Sequence, residues 1–222
     1  MLEVFREVRR VLRDDGTVWL NLGDSYASDT KGSGGRSDKQ NSNMGSWYSF
    51  KANHGLKPKD LCGIPWRVAF ALQADGWYLR SDIIWTKPNP MPESVTDRPT
   101  RSHEYIFLLA KNQRYYYDAE AISEPFADAR EGRNRRDVWT VNSEPTPEAH
   151  FATFPQRLIE PCILAGSREG DLVLDPFLGS GTTGEVCERL GRRWVGLELN
   201  CAYLPIARRR TAQLGLWRAA SP

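Results

Sequence analysis

The stretch VLDPFLGSGTTGEV, residues 173–186, decides how the rest of the chain is read. An apolar run, Leu172-Val173-Leu174, meets Asp175-Pro176 and then Gly179-Ser180-Gly181-Thr182-Thr183-Gly184, after which a helical pattern begins. Gly179, Gly181 and Gly184 satisfy G-x-G-x-x-G. A strand that feeds a helix through glycines brings backbone N–H groups and the positive helix end close to a ligand. Glu198 lies 19 residues after Gly179, at the end of the next predicted strand. An acid there accepts hydrogen bonds from ribose hydroxyls. The turn therefore reads as the site of a ribose-containing cofactor. The competing reading, glycines that serve tight packing alone, is weakened by the strand, turn, helix, strand and terminal acid occurring together.

Working outward, the position of the turn is unusual. Such turns open most nucleotide-binding domains, yet here most of the chain precedes it. A dinucleotide fold needs a second mononucleotide half after the first, and only 24 residues follow Glu198. That argues against NAD. The rest of the sheet must come from residues before the turn, as in a circularly rearranged Rossmann-like domain. The upstream pattern agrees. Residues 2–12 place Leu2, Phe5, Val8 and Leu12 on one helical face, and Thr17 to Leu22 read as a strand buried at its centre. A helix over 61–74 and strands over 79–86 and 104–110 follow. A helix at 155–165, a strand at 171–175, a helix at 182–191, a strand at 193–198 and a helix at 202–213 complete the α/β alternation. Such alternation predicts a mostly parallel sheet in one domain over 1–222. Residues 27–60, rich in Gly, Ser, Asn and Lys, read as a flexible insert loop, and 111–148 as mixed and turn-rich.

Composition sets the outer limits. Of 222 residues, 40% are hydrophobic and 26% charged, a globular profile, and the net charge is only +2. Any nucleic-acid surface must therefore be local. Two local candidates exist. Residues 130–136, REGRNRR, hold Arg130, Arg133, Arg135 and Arg136 with one acid, and 27–60 carries six Lys/Arg against three Asp, beside Trp47 and Tyr48. Cys62, Cys162, Cys187 and Cys201 form no C-x-x-C pair, so no metal site or disulfide framework is indicated. They read as buried free thiols in a cytoplasmic protein. No signal peptide or membrane span is visible.

DPFLGSGTTGEV followed by GRRWVGLELN resembles the cofactor half of the amino-group DNA methyltransferases, and having these motifs last is similar to their β class. HFATFPQRLIEPCI (150–163) resembles the segment just before the glycine motif in that class. IIWTKPNPMPESVTDRPTRSHEYIFLLAK (83–111) resembles the strand pair beyond its target-base pocket. The resemblance implies methyl transfer from S-adenosylmethionine to adenine N6 or cytosine N4 in double-stranded DNA, with the target base flipped out. It gives Glu198 to the ribose hydroxyls with Asn200 beside it, Asp175 to the methionyl amine and Phe177 to the pocket wall. Gly179, Gly181 and Thr182 form the turn, and Thr153, Phe154 and Pro155 close the methionine end. It makes 111–148 the candidate DNA-recognition segment.

The departure is as clear. The family's catalytic signature is Asp, Asn or Ser, then Pro-Pro, then an aromatic residue, and this sequence contains no Pro-Pro pair. Asn89-Pro90-Met91-Pro92 is a poor imitation. The expectation is that residue 1 falls just after the motif, through a late start, a split enzyme or a degenerate copy. A complementing N-terminal segment or a homodimer would then be the partner, and a gap should open between the strands at 17–22 and 171–175. The catalytic residues are thus unassigned. Asp24 and Tyr26, after the first strand, and Trp85, Lys87 and Asn89, after another, are candidates for the pocket. The plainer readings are a turn-forming Asp24, a core Trp85, and structural hydrogen bonds at His103 and Glu104.

Overall fold

The computed structural model describes residues 1–27, 55–125, 132–144 and 153–219, with backbone alone after 212. Most of the predicted insert loop, and Arg130, lie outside the described residues. Helix α1 (Leu2–Val11) turns Phe5 and Val8 inward and its charges outward, as its spacing requires. Strand β1 (Thr17–Leu22) follows, then α2 (Ile64–Ala74), β2 (Tyr78–Thr86) and β3 (His103–Ala110). Next come β4 (Val138–Thr140), α3 (Gln156–Gly166), β5 (Leu172–Asp175), α4 (Thr182–Arg189), β6 (Arg193–Gly196) and α5 (Leu204–Ala219).

The strands form two ladders, one ordered β1-β3-β2-β4 and one of β5 and β6. The β3 strand runs antiparallel to both of its neighbours, whereas β2–β4 and β5–β6 are parallel. The expected mostly parallel sheet is therefore corrected to a mixed one. The reason is local: β2 and β3 are consecutive strands joined by a connection with no helix, which returns the chain antiparallel. Strand β4, three residues inside the 111–148 stretch, was invisible to periodicity because only Trp139 of its side chains is buried.

The central ladder has two apolar faces. Leu20, Phe107 and Leu109 pack with Phe5, Val8, Ala69 and Leu72 of the first two helices, and Trp66 sets its ring edge against Phe107 at 5.1 Å. On the opposite face Ile83, Trp85 and Ile106 meet Trp139, Leu158 and Cys162. Strand β2 serves both faces through an irregularity between Leu79 and Ser81. Leu79 joins the first core, and after the extra residue Ile83 and Trp85 point into the second. Only Leu20 of β1 is fully buried, less than the sequence implied.

Helix α3 joins the ladders. Its Leu158 and Cys162 belong to the second core and its Ile163 to a third, with Val186 and Cys187 of α4. Pro161 sits inside α3 and is buried; it removes one N–H from the helix without ending it. At their amino ends β1 and β5 are linked by Arg13 and Asp171, 3.6 Å apart, and Leu174 packs against the first core. Yet no ladder forms between β1 and β5. Among the described residues, the outer edges of both strands lack a strand partner, and Leu172 is 57% exposed. Among the described residues β1 and β5 thus belong to separate ladders, as the expectation of no direct pairing between them required. Among the described residues, no helix is long and apolar enough to cross a membrane.

Cys162 and Cys187 are buried as expected, but Cys62 is half-buried and Cys201 exposed. Burial pushes the Cys162 thiol well above its ordinary range and the Cys187 thiol up to about 12. Because the thiolate is the reactive form, a disulfide reagent applied to the folded protein should label Cys201 first and Cys62 more slowly. Cys162 and Cys187 should react only after denaturation. Peptide mapping of the labelled protein reads the order.

Candidate active site

The carboxyl ends of β5 and β6 meet at the glycine turn, where open α/β sheets bind ligands. Asp175 ends β5. Its Oδ1 accepts the Phe177 N–H at 2.9 Å and its Oδ2 accepts the Thr183 hydroxyl at 2.5 Å. Asp175 thus closes the turn, and each oxygen keeps a lone pair for a further donor.

The three glycines divide by function. Gly181 has φ +86°, and a methyl group there would stand 2.9 Å from the Ala207 backbone, so α4 and α5 touch through it. Gly184 would meet the Trp194 ring at 2.9 Å. Packing accounts for both. Gly179, at φ +54°, faces open space: its nearest neighbour would be the Phe177 carbonyl, 3.9 Å away. Its N–H donates to Glu198 Oε2 at 2.8 Å, and the Asn200 N–H donates to Oε1 at 2.7 Å. Glu198, half-buried, is therefore held between the turn and the loop after β6 by two backbone donors. Asn200 in turn accepts the Ala202 N–H at 3.1 Å. Phe177, two residues before Gly179, and Leu199, next after Glu198, are 55% and 102% exposed. Exposed apolar side chains beside a fixed acid form a surface suited to a flat apolar ring with a hydroxylated sugar.

One residue escaped the sequence reading. Arg210 of α5 reaches back under the turn. Its guanidinium pairs with Glu185 at 2.6 Å and donates to Ser180 Oγ at 2.8 Å and Thr182 Oγ1 at 3.1 Å. Ser180 and Thr182 are buried. The Thr182 hydroxyl is engaged by this arginine. Within Arg208-Arg209-Arg210 nothing in the sequence tells which guanidinium points inward.

Among Thr153, Phe154 and Pro155, the last is buried as the N-cap of α3 and Phe154 packs on the second core. Thr153 is half-buried beside them.

The pocket candidates along the central ladder have structural occupations. Asp24 caps α2 from a distance: it accepts the Gly63 and Ile64 N–H groups, each at 3.0 Å, and the Ser25 N–H at 2.8 Å. Trp85 is 3% exposed and donates its ring N–H to the Val141 carbonyl at 2.8 Å, as its plainer reading as a core residue has it. Asn89 pins the loop after β4, accepting the Ser143 N–H at 3.0 Å and donating to the Ser143 carbonyl at 3.1 Å. Lys87 pairs with Glu104, which also accepts from Asn21 at 3.2 Å, and the Lys87 ammonium lies 4.2 Å from the Trp85 ring centre. The half-buried Lys87–Glu104–Asn21 group stands at the carboxyl end of β1. Tyr26 lies under the Arg98 guanidinium at 3.9 Å and bridges to Leu61, which draws together the two ends of the 27–60 insert.

The arginine run folds back on the protein. Arg136 and Arg133 approach Glu124 at 3.0 and 3.5 Å. Burial alone would raise the Glu124 carboxyl, but the Arg136 hydrogen bond and the two positive charges outweigh it and hold it below its ordinary range. Arg135 instead lies over Trp139, 4.7 Å from the ring centre.

A DNA methylase family model matches residues 1–209. The chain belongs to the N6/N4 DNA methylase family. The methylase is 59% identical over 215 residues to the type II methyltransferase M.SmaI of Serratia marcescens, covering 95% of this chain and 72% of that protein. It is 58% identical over 207 residues to M.Cfr9I of Citrobacter freundii, covering 93% of this chain and 68% of the relative. Among solved structures it is similar to the cytosine-N4-specific PvuII DNA methyltransferase, with TM-score 0.71 at 18% identity, covering 96% of this chain and 74% of that one. The M1.HpyAVI–SAM complex matches with TM-score 0.59 at 20% identity, covering 95% and 82%. Both likenesses bear on the fold. The methylase is thus placed among the enzymes of type II modification systems and is shorter than its relatives.

The Arg210 clamp yields a test. Arg210→Ala leaves the buried Ser180 and Thr182 hydroxyls and Glu185 without their donor, and should lower stability by about 1–3 kcal/mol. Arg210→Lys should recover only part of that, since one ammonium cannot reach all three acceptors. Urea melts of the three proteins measure the order.

Proposed function

We propose that the methylase transfers a methyl group from S-adenosylmethionine to an exocyclic amino nitrogen, adenine N6 or cytosine N4, of a base flipped out of double-stranded DNA, in the cytoplasm. The observation that carries the cofactor is the Glu198 carboxylate, fixed by the Gly179 and Asn200 N–H groups beside exposed Phe177 and Leu199. When bound, the cofactor supplies an electrophilic methyl carbon on a positively charged sulfur. Glu198 accepts the ribose hydroxyls, and Gly179 lets the backbone approach without a side chain in the way. Phe177 and Leu199 cover the adenine ring. Asp175 offers its remaining lone pairs to the methionyl amine, and Thr153, Phe154 and Pro155 close that end.

The target nitrogen is a poor nucleophile because its lone pair is conjugated with the ring. The chain must therefore align nitrogen, methyl and sulfur and provide an acceptor for the amino hydrogens. The family's proline-pair motif, which has that role by resemblance, is not among these 222 residues. We place its seat between β1 and β5, whose outer edges lack a strand partner among the described residues. DNA recognition falls to 111–148, which holds the arginine run.

Two experiments test this. In calorimetry the protein should bind S-adenosylhomocysteine and not NAD. Glu198→Ala should weaken the first by about 1–3 kcal/mol, and Glu198→Gln, which keeps one acceptor, by less. Tighter binding of NAD overturns the cofactor assignment. For the seat of the motif, tritiated methyl transfer to mixed-sequence duplex should be absent with the 222-residue chain and appear when the segment bearing the motif is added. Robust turnover by the chain alone would move the catalytic centre to residues already present.

A further inference from the structure

The arginines of the 130–136 run do unlike things. Arg133 and Arg136 converge on Glu124, and residues 124 and 133 also exchange both backbone hydrogen bonds at 2.9 Å. These contacts fold the segment. Arg135, between them in sequence, faces the other way. It borders a cleft of about 370 Å³ between the turn at Ala121–Ser123 and one stripe of α3. That stripe is Arg157, Glu160, Pro161 and Leu164, at helical spacing of three and four.

The charge in this cleft is not balanced. Glu160, its one acid, is turned to Arg189 at 3.2 Å. Among the described residues no carboxylate pairs with Arg135 or Arg157, and the Arg135 Nε is buried without an acceptor. Two guanidinium groups thus share one concavity with apolar walls at Ile122, Pro161 and Leu164. Such walls focus the field of the charges, and planar guanidinium forks match phosphate oxygens. Trp139, 4% exposed, holds the Arg135 plane and limits its rotamers. Arg157 lies in the first turn of α3, two residues after the Pro155 cap. The cleft therefore flanks the cofactor-closing segment.

We propose that Arg135 and Arg157 form a phosphate-binding cleft that grips one backbone phosphate of the DNA duplex. The proposal rests on the DNA-methylase reading and assigns Arg157, a residue outside the arginine run. Arg133 and Arg136 shape the segment and do not touch phosphate. A free phosphate ion presents the same chemistry, and the test separates the two sources.

Fluorescence anisotropy with a labelled mixed-sequence duplex, over about 50–200 mM potassium chloride, gives affinity and the slope of log K against log salt. Arg157→Gln and Arg135→Gln should each flatten the slope by about one and weaken binding roughly ten-fold near 100 mM salt. Arg135→Lys should restore the slope, because the charge returns, and only part of the affinity. Arg133→Gln and Arg136→Gln should keep the slope and lower the melting temperature. Calorimetry with S-adenosylhomocysteine should give the wild-type affinity in Arg157→Gln. Inorganic phosphate should compete with the duplex no better than chloride of equal ionic strength. If phosphate alone stabilises the wild-type protein and not Arg157→Gln, the cleft serves a free anion and the assignment to the DNA backbone fails. If the wild type binds duplex and both glutamine variants keep its slope and affinity, the cleft is overturned while the methylase reading stands. A wild type that binds neither duplex nor S-adenosylhomocysteine overturns both.

Discussion

The near-contact of Gly181 with Ala207 is the constraint on which the cofactor half depends. With 2.9 Å between a notional side-chain carbon and the Ala207 backbone, the start of α4 meets α5 with no room for a side chain at 181. That closeness brings Arg210 under the turn, where it meets Ser180, Thr182 and Glu185 together. It also holds the turn where Gly179 reaches Glu198. A larger residue at 181 would clash and would also be strained at φ +86°. The position of Glu198 therefore depends in part on a glycine that it does not itself touch.

The second organising fact is the dual service of α3. One helix with a buried proline packs against both ladders, so the cofactor strands and the central strands share a core without sharing hydrogen bonds. Among the described residues β1 and β5 each keep one edge without a strand partner, and open edges are ordinarily a hazard because they template pairing with other chains.

Much of the fold was legible from period alone. The helix at 2–12, the strand at 17–22 and the strand–turn–helix at 171–191 occur within a few residues of their reading, because each buries one face and so carries a repeat. What failed had local causes. Strand β4 buries one side chain and leaves no alternation to detect. The mixed direction of the sheet follows from a helix-free connection, which hydrophobic pattern does not encode. The irregularity between Leu79 and Ser81 shifts β2 from one core to the other, and no residue type announces it.

The sequence by itself determined that a glycine turn between strand and helix comes late in an α/β chain, and that Gly179 and Glu198 come together. Short-range geometry suffices for that: a strand, a glycine turn and the next strand end must meet within one βαβ unit. Tertiary structure alone decided which charged residues act and which hold the fold. Asp24 and Asn89 carry the groups that a site needs, yet each is engaged by backbone donors 39 and 54 positions away, and Arg133 and Arg136 turn to Glu124, 9 and 12 positions away. Arg210, hidden in a run of three, is drawn inward by the same geometry. Partnership between residues tens of positions apart is set by how helices cross and strands pair, and a linear pattern holds no record of it.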